Sequence, residues 1–128
     1  MILGIGVDVF APSRLARLLR EDPGAAGEFF LPEEIAGTGA SDEDIRRLAM
    51  VFAIKEAAFK ALAPTPPARA RWREVAVRLD ANVPSVRLTG ALAATLDSAQ
   101  PLRLHVATDA HGDLVVALVI AERPDTGS

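Results

Sequence analysis

Hydrophobic positions in this chain gather into a few patterned segments. Met1 to Phe10 is almost wholly apolar, interrupted at Gly4, Gly6 and Asp8, and predicts a buried strand. Pro12 and Ser13 open a short helix over residues 14–20, with Leu15, Leu18 and Leu19 facing inward, and Asp22-Pro23-Gly24 ends it. Residues 29–35 predict a helical turn that plugs Phe29, Phe30 and Ile35 into the core. Ser41 followed by Asp44 is a capping signature for the main helix, Asp42 to about Leu62, which Pro64, Pro66 and Pro67 stop. From Glu74 to Asp80 the alternation of Val75, Val77 and Leu79 predicts a half-buried strand. A short strand at Val86 to Leu88 leads through Thr89-Gly90 into an alanine-rich helix ending near Ser98. Strands over residues 102–108 and 114–121, turning at His111-Gly112, close the pattern. Short strands joined by tight turns predict an α+β domain, an antiparallel sheet packed on one long helix. It is expected to span residues 1–123, with 124–128 as a loose tail.

The 128 residues are enough for one domain, and 50% hydrophobic with 24% charged excludes a disordered chain. The absence of cysteine excludes a disulfide framework, a thiolate metal site and a cysteine nucleophile. Met1 to Phe10 lacks the basic start and cleavage site of a secretory signal, and no apolar run approaches the ~18 residues of a membrane span. The expectation is a soluble, cytoplasmic protein. A net charge of −3 argues against nucleic acid as the main partner. Only two of the fourteen basic residues are lysines, Lys55 and Lys60, and they stand five positions apart. That placement hints that a compact ammonium is wanted there.

Both lysines fall on the main helix. At about 100° per residue, Ile45, Leu48, Ala49, Phe52 and Phe59 share one stripe, and Glu56 falls near its middle. Met50, Val51, Ile54 and Ala58 make the opposite side apolar as well, so this stretch is expected to be buried. One reading of Glu56 is a simple i,i+4 pair with Lys60; the other is a ligand or a base. Asp8 raises the same question within its apolar strand, where it either caps the turn before Pro12 or meets a cation. Taken together, two buried carboxylates repel each other unless a cation lies between them, and hard oxygen ligands favour magnesium. Lys55 and Lys60, flanking the stripe, would then reach the phosphates of a pyrophosphate-like substrate. Gly4-Ile5-Gly6 is not a dinucleotide fingerprint, since Val9 stands where a third glycine belongs; it allows close backbone packing or the approach of a ligand.

Gly4-Ile5-Gly6-Val7-Asp8-Val9, followed by Phe52-Ala53-Ile54-Lys55-Glu56-Ala57-Ala58-Phe59-Lys60-Ala61-Leu62, resembles the holo-acyl carrier protein synthases, the small class of 4′-phosphopantetheinyl transferases. Phe30-Leu31-Pro32-Glu33-Glu34-Ile35, Trp72-Arg73-Glu74-Val75-Ala76-Val77, Val86 to Gly90, His105-Val106 and Val116 to Glu122 extend the likeness over nearly the whole chain. The resemblance implies that Asp8 and Glu56 hold magnesium on the pyrophosphate of coenzyme A. A serine of an acyl carrier protein attacks the β-phosphate, 3′,5′-ADP leaves, and Glu56 accepts the proton directly or through a water. It further implies a homotrimer with sites between subunits, and a fatty acid or polyketide pathway. An acidic carrier protein needs a basic patch; Arg14 and Arg17, at i and i+3, would supply it, Arg14 at the position where the family contacts its carrier. His105 is either a sheet histidine or a contact to the nucleotide substrate. Three stretches differ from the family pattern: Val51 in place of an arginine, Ala63-Pro64-Thr65-Pro66-Pro67 in place of a glycine-rich loop, and Ala107-Thr108-Asp109-Ala110-His111 in place of a serine- and histidine-bearing run. They leave open a second reading, a diverged homologue that binds a carrier protein or a nucleotide without transfer.

Overall fold

Strand β1 (Ile2–Phe10) is followed by helix α1 (Pro12–Glu21), the short helices α2 (Ala25–Phe29) and α3 (Pro32–Ile35), and the long helix α4 (Asp42–Ala61). A 3-10 turn (Trp72–Glu74) leads into strands β2 (Val75–Arg78) and β3 (Ser85–Leu88), helix α5 (Gly90–Leu96), and strands β4 (Arg103–His111) and β5 (Leu114–Glu122). The computed structural model describes residues 1–62, 71–79, 83–96 and 100–125. Its main sheet is antiparallel with order β1–β5–β4, and β2 and β3 form a separate antiparallel ribbon. This is the α+β arrangement expected, with α4 packed across the sheet and against β2 and α1. The expected proline-rich stop at 63–67 and the ends of the segments at Asp80 and Ser98 lie outside the described residues.

Local chemistry explains the main helix. Ser41 Oγ accepts from the Asp44 amide at 3.1 Å, while Asp42, Glu43 and Asp44 in the first turn and Lys60 in the last complement the helix dipole. From Leu48 to Ala58 only Met50 and Glu56 escape full burial, because the sheet, α1 and β2 enclose the helix. Two expectations need correction. The turn predicted over residues 29–35 is two helices, separated because Phe30 is extended and Pro32 begins a new helix at its first position. In β2, Ala76 is buried along with Val75 and Val77, so the strand does not alternate; Ala76 lines a cleft together with residues of α3 and α4.

Strand β1 was expected to be buried, yet it is an edge strand with one naked face. In register with β5, the residues Gly4, Gly6, Asp8 and Phe10 pair with Ala121, Val119, Ala117 and Val115, which are fully buried beneath α4. The alternate residues Ile5, Val7 and Val9 point the other way and are 58%, 49% and 55% exposed. Apolar composition on both faces signals burial, but within one chain only the α4 face is covered.

On that covered face the strand backbone is pressed onto the helix. A Cβ placed on Gly4 would overlap the carbonyl oxygen of Ala61, and one on Gly6 the carbonyl oxygen of Ala57. Ala57 and Ala61, both fully buried, leave no side chain to hold the elements apart. Gly27 in α2, by contrast, has open space where its Cβ would stand. Gly6→Ala is therefore expected to lower stability by about 1–3 kcal/mol through overpacking, and Gly27→Ala to raise it by about 0.5–1 kcal/mol. Urea denaturation checks both, and equal midpoints for the two variants would contradict the close approach.

Candidate active site

Asp8 lies two residues beyond Gly6, so it shares the face pressed against α4. Its Oδ1 accepts from Lys60 Nζ at 3.2 Å, and the same ammonium donates to the Val7 carbonyl at 3.0 Å. The i,i+4 pair between Glu56 and Lys60 is thus not adopted: the lysine crosses to β1 instead. Asp8 Oδ2 is buried and has no hydrogen-bond partner among the described residues. Glu56, one turn before Lys60, accepts no hydrogen bond among the described residues. Burial raises its pKa above the ordinary glutamate value, the negative charge of Asp8 raises it further, and Lys60 opposes both.

The two carboxylates open into a cleft of about 390 Å³. Arg14 and Arg17 line its α1 side, so the structure brings the predicted basic patch and the predicted acid pair to one place. Phe10 and Phe52 contribute an apolar wall, with ring centroids 4.8 Å apart, and Trp72 stacks behind Phe52 at 5.3 Å. The Arg14 guanidinium lies 5.7 Å from the centroid of the Phe10 ring, a cation–π contact that orients it over the cleft. Sequence reasoning passed over Phe10, Leu18 and Glu21 as cleft residues. The i,i+4 and i,i+7 spacing of Leu18 and Glu21 from Arg14 was the available signal.

Lys55 stands elsewhere, and its expected reach to phosphates needs correcting. Its ammonium is fully buried on another side of α4, donating to the carbonyls of Trp72 at 2.9 Å and Val75 at 2.6 Å, and pairing with Glu34 at 2.9 Å. Glu34 in turn accepts from the amides of Leu31 and Val77, both at 2.8 Å. Every polar atom is satisfied, which is the condition for keeping a charge pair in a core. Burial nevertheless lowers the Lys55 pKa, with Glu34 acting against it. This lysine fastens α4 to α3, the 3-10 turn and β2.

His105 is also kept apart from the acid pair. It pairs in register with Ile120, and Leu104 and Val106 pair with the buried Ala121 and Val119, so His105 falls on the face away from α4. There its Nε2 lies 3.1 Å from Glu122 Oε1. His111 pairs with Leu114 on that same outer side, while Ala110, paired with Val115, takes the α4 side. A one-residue shift in this strand moves a histidine from one face to the other. Val51 lines a second cleft of about 530 Å³ between α3, α4 and the β2–β3 ribbon, together with Arg47 and Arg87.

The donor set fits a hard divalent cation. A buried carboxylate oxygen with no partner among the described residues, beside a second carboxylate whose charged form is disfavoured by burial and by its neighbour, is the environment a cation would relieve. No third histidine or carboxylate joins them among the described residues. The remaining ligands would have to come from water and from substrate, as is usual for magnesium.

An antiparallel sheet under one long helix, with an acid pair opening between them, defines the class: residues 4–119 match the 4′-phosphopantetheinyl transferase superfamily, and the chain belongs to that family. It is a transferase enzyme, similar over almost its full length to the holo-acyl-carrier-protein synthases. The synthase of Arthrobacter sp. is 35% identical over 122 residues, covering 95% of this chain and 99% of that protein. That of Anaeromyxobacter dehalogenans is 36% identical over 126 residues, covering 95% and 97%. The crystal structure of the Neisseria meningitidis synthase superposes with a TM-score of 0.82 at 31% identity, covering 96% of this chain and 100% of that one.

The electrostatics of Glu56 give a prediction with a definite sign. In metal-free protein its carboxyl should titrate above an ordinary glutamate; Asp8→Asn should bring it down and Lys60→Gln push it higher, as followed by carboxyl-carbon NMR. A raised folded-state pKa means that stability from this group is present below the unfolded value and lost as pH rises through the folded one. Glu56→Gln is therefore expected to unfold at a higher urea concentration than the parent at neutral pH. An unchanged titration in Asp8→Asn would show that the two carboxylates are not coupled.

Proposed function

We propose that this protein transfers 4′-phosphopantetheine from coenzyme A to a serine of an apo acyl carrier protein, with magnesium, releasing 3′,5′-ADP. The observation that carries the reading is the cleft in which Asp8 and Glu56 face Arg14 and Arg17. The names of the relatives point to the same carrier-protein substrate. Asp8 and Glu56 are the residues that would hold magnesium, which neutralises the pyrophosphate and the charge that develops on it.

The rest of the chemistry falls to side chains of this chain. Glu56, partly desolvated and accepting no hydrogen bond among the described residues, takes the proton of the attacking serine hydroxyl, directly or through one water. The serine oxygen bonds to the β-phosphorus as the bond from phosphorus to the 3′,5′-ADP oxygen breaks. Lys60, half exposed, sits beside Asp8 where a phosphate oxygen would lie and offsets its charge. Arg14 and Arg17 receive the acidic carrier so that its serine meets the acid pair. Phe10 and Phe52 keep one wall dry, which strengthens every charge interaction within the cleft.

The assembly proposed is a homotrimer, and the protein is placed in the cytoplasm, in fatty acid or polyketide synthesis. Support for self-association comes from the naked sheet face. Ile5, Val7 and Val9 lie in register with Ile120, Leu118 and Val116, a continuous apolar surface of the kind that marks a protein interface. His105 stands on this face, where an adjoining subunit would meet it; contact with coenzyme A would come from there.

Intact mass of an apo carrier protein, incubated with the enzyme, coenzyme A and magnesium, tests the transfer. A gain of one phosphopantetheine is expected, with Glu56→Gln slowing it by about 10²-fold or more; full activity of folded Glu56→Gln would refute its role. Val7→Lys should shift the protein from trimer to monomer in sedimentation equilibrium. A parent protein that is already monomeric would remove the trimer.

A further inference from the structure

Along α1 the sign of charge changes within one stripe facing the cleft. Arg14, Arg17, Leu18 and Glu21 all line it, and at about 100° per residue they span roughly 100° of the helix circumference. Arg14 and Glu21 are seven residues apart, about 10 Å along the axis. That distance is comparable to the screening length at physiological salt, so a partner lying along α1 meets the two ends as separate charges. It encounters cations first, an apolar step at Leu18, and an anion at the C-terminal end.

The helix itself has no use for Glu21. The last turn of a helix disfavours a carboxylate. Its i,i+4 order after Arg17 is the weaker orientation for a pair. Neither arginine forms an ion pair with it, and no other ion pair within the described residues involves these three side chains. The stripe is also held firmly. Leu15 is fully buried beneath it, and Ser13 Oγ donates to Asp113 Oδ2 in the β4–β5 turn at 2.6 Å.

We propose that Glu21 is a specificity-determining residue for the carrier protein. It favours carriers that present a cation, or no acid, where they lie against the C-terminal end of α1, and disfavours carriers that are acidic throughout. The inference rests on the carrier-protein reading given above. A macromolecule that delivers its serine to Asp8 and Glu56 must lay the surface around that serine along the α1 wall. Arg14 and Arg17 supply attraction common to all acidic carriers, whereas Glu21 supplies the repulsion that separates them.

The test is fluorescence anisotropy with an apo acyl carrier protein acidic throughout the segment flanking its serine, and with single acid→Lys variants along that segment. Glu21→Arg should bind the all-acidic carrier about tenfold more tightly at low salt, with the gain shrinking as salt rises. At least one Lys-bearing carrier should reverse the order and prefer the parent enzyme. A change below about twofold for every carrier, or an equal gain for all of them, would overturn the proposal. Glu21→Arg should not melt below the parent, since the substitution suits the helix end. Transfer is followed in parallel by intact mass. If the preference switches but the parent transfers nothing, the transfer reading falls and the docking rule stands. If transfer occurs and the preference does not switch, only the role of Glu21 falls; if no carrier binds at all, both do.

Discussion

The approach of β1 to α4 is the constraint on which the remaining geometry depends. Backbone meets backbone only because Gly4 and Gly6 present no Cβ to the carbonyls of Ala61 and Ala57. Any side chain at these glycines would push the strand outward and carry Asp8 with it. The distance between Asp8 and Glu56, the crossing of Lys60 from helix to strand, and the depth of the cleft follow from that contact. Small residues in this seam act as machinery for placing charge, although none carries a functional group.

A second fixed point lies on the other side of α4. Lys55 and Glu34 form a saturated pair whose partners come from α3, the 3-10 turn and β2. Glu56, the next residue, is thereby held in rotation about the helix axis. Adjacent residues in an α-helix diverge by about 100°. Lys55 therefore looks into the core at the place where Glu56 looks into the cleft. One lysine-glutamate dipeptide divides its work, with one charge spent inside the fold and the other turned to the cleft.

Much of this was legible in the sequence, for reasons that differ by residue. Asp8 and Glu56 stood out because a carboxylate in an apolar segment has to be explained, and the explanation did not require knowing the contacts. Arg14 and Arg17 showed their common face through helical spacing. Lys55 was not legible: its partners are backbone carbonyls 17 and 20 positions away and a glutamate in another helix. No local pattern reports such bonds, and by composition Lys55 and Lys60 look alike. The apolar run of β1 correctly signalled a strand but not its edge position, because hydrophobicity does not say whether the cover comes from this chain or from another copy. The histidines of β4 depend on register, and register was settled only by pairing with β5.

Strand β5 follows every other element in chain order, yet it occupies the middle of the sheet, with β1 on one side and β4 on the other. The Met1 amine and the Arg123 carbonyl, 122 positions apart, lie 2.8 Å from each other. A ribosome therefore releases β1 long before the strand that must back it. Until β5 emerges, Asp8 rides on an unpaired strand, and the acid pair has no fixed separation. Long-range pairing of this kind is slow to nucleate, so the cleft between β1 and α4 takes shape only once β5 has emerged and paired.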